Sequence, residues 1–187
     1  MSGFIYRFDF AINDFLNEHL ASPVLDVIFS IITHLGDAGI FWIALTALLL
    51  CFKSTRRAGV SMAISLVFSL LVTNLFLKPL VARPRPYNLK AIDLRIAPPS
   101  DPSFPSGHTS ASFSAAFALF WHDKKKGTPA LVLATLIGFS RLYFYLHFFT
   151  DVLAGSLVGF LGSVAAYSLT PLVFRGIEKL KSTRNKP

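Results

Sequence analysis

Apolar residues recur along this chain in long unbroken runs, not in the alternation of strands, and short polar clusters punctuate them. The runs fall at 22–35, 38–52, 58–81, 106–122, 128–146 and 148–173. A bilayer crossing needs about 20 residues, or roughly 17 at the short end. The third, fifth and sixth runs meet that length, whereas the first two must extend, tilt, or sit where the bilayer is thin. Ahead of them, residues 3–20 place Phe4, Phe8, Ile12, Phe15 and Leu16 on one helical stripe, with Asn13, Asp14, Asn17 and Glu18 mostly opposite. That pattern predicts an interfacial helix. The expectation is an all-α, polytopic membrane protein of six transmembrane helices behind an N-terminal interfacial helix, forming one membrane-embedded domain over 1–187.

Residues 82–105 break the pattern. Pro84, Pro86, Pro98, Pro99, Pro102 and Pro105 exclude a regular helix, so this is a loop. Its length exceeds ordinary connections, which marks it as a candidate functional loop.

Charge supplies the orientation. With six crossings, Arg7, Lys53, Arg56, Arg57, Lys124, Lys125, Lys126, Arg175, Lys179, Lys181, Arg184 and Lys186 share one side, 12 of the 18 basic residues. Positive-inside logic makes that side cytoplasmic, together with both termini, in a cell (inner or plasma) membrane. It also accounts for the net charge of +8 without nucleic acid, because the positives lie in short clusters between apolar runs. Asp9, Asn13, Asp14 and Glu18 interrupt the start too early for a cleavable signal. Cys51 is the single cysteine, so no intrachain disulfide is possible.

Three polar blocks stand at the ends of apolar runs, all on the extracytoplasmic side: Lys78-x6-Arg85-Pro86, Pro105-Ser106-Gly107-His108, and Ser140-Arg141-x5-His147-x3-Asp151. A lone lysine at a helix end is usually snorkelling to the interface. Lys78 with Arg85 and Arg141 on one face is different, because three cations repel unless an anion joins them, and arginine grips two phosphate oxygens at once. Pro105 and Ser106 suit a helix start, whose free N–H groups also bind phosphate, and Gly107 permits close approach of the backbone. His108 is not required by capping. His147 and Asp151, four apart at the start of the sixth run, fall on one helical face. A carboxylate on one imidazole nitrogen leaves the other's lone pair free to attack phosphorus. A polar couple that only packs two helices is the plainer account of that pair, but ionisable groups inside a membrane are costly. A metal site is disfavoured, since the cations would repel a divalent ion and the blocks hold no second carboxylate. Gly155, Gly159 and Gly162 predict close helix packing without implying a dimer.

These three blocks resemble the signature of the type 2 phosphatidic acid phosphatase superfamily, which includes membrane lipid phosphatases and soluble vanadium haloperoxidases. The blocks cover residues 78 to 151, and every signature position is occupied. The resemblance implies His147 as nucleophile, Asp151 as its orienter, and His108 as general acid. It implies Lys78, Arg85, Ser106, Gly107 and Arg141 as phosphate ligands, with no metal or other cofactor. The small size resembles bacterial members acting on lipid phosphates at the outer leaflet, among them undecaprenyl pyrophosphate and phosphatidylglycerophosphate phosphatases; phosphatidate is a further candidate. Two other readings stay open. A lipid-phosphate transporter explains the cations but not the histidines, and a phosphotransferase would use the same phosphohistidine.

Overall fold

The computed structural model describes residues 3–184, which are helical wherever they are regular, with no strand among them. The helices are α1 (Gly3–Leu20), α2 (Pro23–His34), α3 (Ile40–Cys51), α4 (Arg56–Ser69), α5 (Lys78–Val81), α6 (Pro86–Leu89), α7 (Gly107–His122), α8 (Lys124–Tyr143) and α9 (Phe149–Arg184). A π-helical stretch, Leu70–Leu77, joins α4 to α5, and a 3-10 turn, Asp37–Gly39, joins α2 to α3.

α7 is the axis of the bundle, packed against α4, α8 and α9. Its sequence permits this, because Ser110, Ser112, Ser114, Ala115, Ala116 and Ala118 are all buried and small. On α9, Gly155 and Gly159 let the backbones meet: a Cβ at Gly159 would lie 2.7 Å from the Ser114 nitrogen and 2.8 Å from the Ser110 carbonyl oxygen. Several buried hydroxyls are paired across helices, Ser110 Oγ with Ser69 Oγ (2.5 Å) and Thr73 Oγ1 (2.8 Å), while Trp42 Nε1 donates to Ser112 Oγ (2.9 Å); Ser114 Oγ finds no partner among the described residues. Satisfying these groups internally is what lets a serine-rich helix sit in an apolar bundle. Trp42, Met62, Leu119 and Ile137 fill the adjoining core.

Two stretches are long and apolar enough to cross a membrane alone, Arg56–Leu89 and Phe149–Leu180. By length and composition the described residues thus hold two clear candidate crossings, or up to three if each bent pair is one, and the expected six are not confirmed. α2 and α3 have 12 residues each and qualify only as a pair, bent by 42° across the Asp37–Gly39 turn. A bend that small continues the chain's direction instead of reversing it, so 22–35 and 38–52 are not two antiparallel crossings. Ala38 (φ 50°) and Gly39 (φ 67°) absorb the change of direction.

The N-terminal helix departs from expectation in a second way. α1 packs on the loop 82–105 and on the turn between α8 and α9, through Asp14 with Lys90 and Tyr145, and Asn17 with Arg95. That is the end of the bundle carrying the polar blocks. α9 runs to the opposite end, where Arg57 lies over Phe174. α1 and the far part of α9 thus lie at opposite ends of the bundle. The polar face of α1 is also not turned to water: Asp9 and Asn13 are fully buried, while Phe4, Phe8 and Phe15 are exposed. A helix so arranged turns its apolar stripe outward, as one lying against lipid does.

The α7–α9 approach leaves no room for a side chain, and backbone atoms cannot step aside. Gly159→Leu should lower stability by about 1–3 kcal/mol through overpacking, read as a lower thermal midpoint in detergent. Gly176→Ala, where a Cβ meets nothing within 4 Å, should leave the midpoint unchanged or raise it.

Candidate active site

A cavity of about 570 Å³ opens between α3 and the α4–π segment and ends at the polar blocks. Ile43, Ala63, Leu66, Val67 and Leu70 line its apolar part. Lys78, Arg85, Gly107, His108, Arg141 and His147 line its inner end, so residues from all three blocks meet in one place.

The inner end is a buried cluster of positive charge. Lys78, Arg85 and Arg141 retain 6%, 3% and 3% of their exposure. The π-helical stretch turns Asn74 and Lys78 toward the first turn of α7, where a Cβ on Gly107 would sit 3.3 Å from Asn74 Oδ1 and 3.9 Å from Lys78 Cε. Insertions of this kind in a helix recur at functional sites. Ala82, in the left-handed region at φ 45°, reverses the chain so that Arg85 returns to the cavity. Arg85 donates from Nη1 to the Leu146 carbonyl (2.8 Å) and to His147 Nε2 (3.1 Å). Arg141 donates from Nη1 to Thr33 Oγ1 (2.7 Å), while its buried Nε finds no partner among the described residues.

Asp101, from the proline-rich loop, occupies this cage. Its carboxylate pairs with Lys78 and lies 2.7 Å from Arg85 Nη2, and its carbonyl accepts from Arg85 Nε at 2.8 Å. Burial opposes the charge on Asp101, but Lys78 and Arg85 outweigh it and hold the carboxyl at about 2. The sequence offered no signal for this residue beyond its place between Pro99 and Pro102. A second carboxylate, Asp37, lies 2.8 Å from His108 Nε2. Carboxylates from outside the blocks, Asp101 in the cavity lining and Asp37 behind His108, are thus each paired with a basic group.

His147 departs from its expected setting as well. It precedes α9 by two residues, in the turn after α8, so it does not share a helical face with Asp151. The two still approach, Nδ1 to Oδ2 at 3.5 Å, with Ser103 Oγ 2.5 Å from Oδ2 and 3.4 Å from Nδ1. Because Arg85 can only donate, the contact at Nε2 requires a lone pair there and the proton on Nδ1. Burial, then Arg85, Arg141, Lys78 and His108, push the His147 imidazole well below its ordinary range, so the ring is neutral at pH 7. Asp151 is held by the Phe148 N–H (3.0 Å) and by Arg83 Nη1 (2.5 Å). Arg83 is not among the residues that define the three blocks. It is almost fully buried.

Ser106 stands apart from the cavity lining. Its hydroxyl caps α7 by accepting from Thr109 (N at 3.4 Å, Oγ1 at 2.9 Å), and its N–H donates to the Asp151 carbonyl at 3.0 Å. The N–H groups of Gly107 and His108 have no acceptor among the described residues and belong to the first turn of the helix. A neutral imidazole, three cations and two helix-terminal N–H groups converging on one cavity can hold and attack a phosphoryl group.

The model of the PAP2 superfamily matches residues 56–175, which include all three blocks. The chain belongs to the PAP2 superfamily. It is 37% identical over 120 residues to the undecaprenyl-diphosphatase of Sulfolobus acidocaldarius, a match over 63% of this chain and 58% of that relative. The chain therefore spans less than two thirds of that relative's length. Against the undecaprenyl-diphosphatase BcrC of Bacillus subtilis it is 32% identical over 147 residues, 76% of this chain and 72% of that one. Among solved structures, Aquifex aeolicus LpxE superposes with a TM-score of 0.77 at 25% identity, covering 86% of this chain and 95% of that one. A PAP2 type phosphatidylglycerolphosphate phosphatase from Bacillus subtilis gives 0.72 at 27%, covering 94% and 89%. The superfamily match begins at α4, so Asp9, Asn13 and Asp37 of this PAP2 protein lie outside it.

Removing the internal anion should free the cage for an external one. Asp101→Asn should tighten vanadate binding about fivefold, the equivalent of about 1 kcal/mol for a half-exposed ion pair, read by titration of the purified protein. Since the folded value of Asp101 lies below the ordinary one, its contact stabilises the protein fully above pH ~4. That contribution is lost as pH falls through about 2. The acid limb of a stability profile should flatten in Asp101→Asn.

Proposed function

We propose that this protein is an integral-membrane lipid phosphatase that works through a phosphohistidine, with undecaprenyl pyrophosphate as its substrate. The observation that carries the reading is the lone pair of His147 Nε2, facing Arg85 inside a buried, tricationic cavity that continues into an apolar slot. In the first step Nε2 bonds to phosphorus and the bond from phosphorus to the leaving oxygen breaks. His108 gives that oxygen a proton. Water then attacks the phosphohistidine, His108 takes its proton, and phosphate leaves with His147 restored. Asp37 lies 2.8 Å from His108 Nε2 and fixes the orientation of that ring. Asp151 keeps the His147 proton on Nδ1. Lys78, Arg85, Arg141 and the Gly107 N–H hold the phosphoryl oxygens, and Ser106 supports them by capping α7. Neutralising charge in a water-poor site supplies most of the barrier reduction in such chemistry. The roles require no metal.

The slot between α3 and α4 suits an acyl or prenyl tail lying in the bilayer. Undecaprenyl pyrophosphate is favoured by the names of the Sulfolobus and Bacillus relatives. Phosphatidylglycerophosphate is the second reading, favoured by the superposition on the Bacillus subtilis structure.

We read the chain as a single membrane-embedded domain with five crossings: α2 with α3 as one, α4 with its π-helical continuation, α7, α8 and α9. This revises the six expected. Lys53, Arg56, Arg57 and Lys124–Lys126 mark the cytoplasmic end by the positive-inside rule. The active site and α1 then face outward, and the C-terminal segment faces the cytoplasm.

In detergent, purified protein should release phosphate from undecaprenyl pyrophosphate faster than from phosphatidylglycerophosphate or phosphatidate. His147→Ala should lower that rate at least roughly 10³-fold while keeping the wild-type unfolding midpoint. Vanadate should inhibit and chelators should not. A fully active His147→Ala would sink the nucleophile assignment.

A further inference from the structure

Asp9 and Asn13 are four residues apart on α1, fully buried, and remote from the cavity lining. Both reach the residues flanking the imidazole. Asp9 Oδ2 lies 2.7 Å from Arg83 Nη2, and the other arm of the same guanidinium holds Asp151 Oδ1 at 2.5 Å. Thr150 closes the circuit: its N–H and hydroxyl donate to Asp9 at 3.0 and 2.6 Å, and its hydroxyl accepts from Arg83 Nη1 at 2.8 Å. The guanidinium is clamped over Phe148 (4.0 Å) and Tyr6 (5.0 Å). Asn13 Nδ2 donates to the carbonyl of His147 itself at 3.0 Å.

Helix docking alone does not call for this arrangement, since apolar packing would seat α1 without burying two carboxylates. What distinguishes it is where the bonds end. Fixing Asp151 at Oδ1 leaves Oδ2 as the oxygen facing His147 Nδ1, and fixing the His147 carbonyl stops the turn from rotating the ring away. The imidazole has no rigid element of its own, because it stands in the turn between α8 and α9. The His147 backbone N–H is tied to the Arg141 carbonyl at 3.3 Å and its carbonyl to α1 through Asn13 at 3.0 Å.

We propose that α1 is a positioning element of the reaction, with Asp9, acting through Arg83, and Asn13 as positioning residues for the Asp151–His147 pair. This rests on His147 being the nucleophile. The residues lie on an element outside the superfamily match, so the device belongs to this chain's N-terminal segment.

The test uses the full chain in detergent with undecaprenyl pyrophosphate. Asp9→Asn keeps the shape and removes the charge. It should lower kcat about tenfold or more while KM and vanadate affinity stay within about twofold, since the anion cage is untouched. Asn13→Leu should act in the same direction. Asp9→Asn combined with Arg83→Met should be no slower than Arg83→Met alone, because both break one circuit. Thr150→Val, which cuts the hydroxyl links from α9, should reproduce the kcat loss even if the α1 variants misfold. Wild-type kcat in well-folded Asp9→Asn and Thr150→Val overturns the inference. So does a parallel fall of kcat, vanadate affinity and unfolding midpoint, which is what a purely structural role gives. An inactive wild type, or an active His147→Ala, overturns the phosphatase reading itself, whereas a dead His147→Ala beside an unimpaired Asp9→Asn removes only the role of α1.

Discussion

Like charges gathered away from water set the terms for this molecule. Lys78, Arg85 and Arg141 are almost entirely withdrawn from solvent around one cavity, where each loses hydration and repels the other two. Nothing apolar can compensate that. An anion can, and the protein keeps one in place: Asp101 bridges two of the cations. The third, Arg141, has among the described residues a single hydroxyl partner and an unused Nε. The resting site is thus partly neutralised and still electron-poor.

Much of the remaining architecture serves to hold that unfavourable arrangement. Among the described residues, three that are not glycine adopt the left-handed conformation, Ala38, Ala82 and Tyr145. One stands next to Asp37, one between Lys78 and Arg85, and one two residues before His147. Each costs of order 1–3 kcal/mol and persists only where the surroundings over-determine it. Here the surroundings are α7 and its close neighbours, whose small residues bring three helix ends to within reach of one phosphate-sized space.

The family and the bundle's second half were legible in the sequence. The runs 106–122, 128–146 and 148–173 correspond to α7, α8 and α9, because long uniform apolar stretches leave a helix little alternative. The three blocks were legible since histidine, arginine and lysine at apolar helix ends are costly and therefore informative. The first half was harder. Hydropathy locates α2 and α3 but carries no information on direction, and the Gly36–Gly39 segment could have reversed the chain as easily as bent it. Asp9, Asn13, Arg83, Ser103 and Asp101 were missed for a different reason. On α1 the polar stripe has the same spacing whether it faces water or a buried guanidinium, and in the proline-rich loop no periodicity says which polar residue turns inward.

The cavity meets two media. Its apolar mouth lies between helices α3 and α4, while Asp101 at the other boundary keeps half of its side chain in contact with water. On the lipid-phosphatase reading proposed above, a greasy tail would lie at the first boundary and a small freed anion would leave by the second. The two halves of one cleaved substrate therefore part into different phases, and each departure makes the reverse encounter rarer. On that reading, a cavity open at two boundaries would hinder the reverse reaction by keeping the products apart.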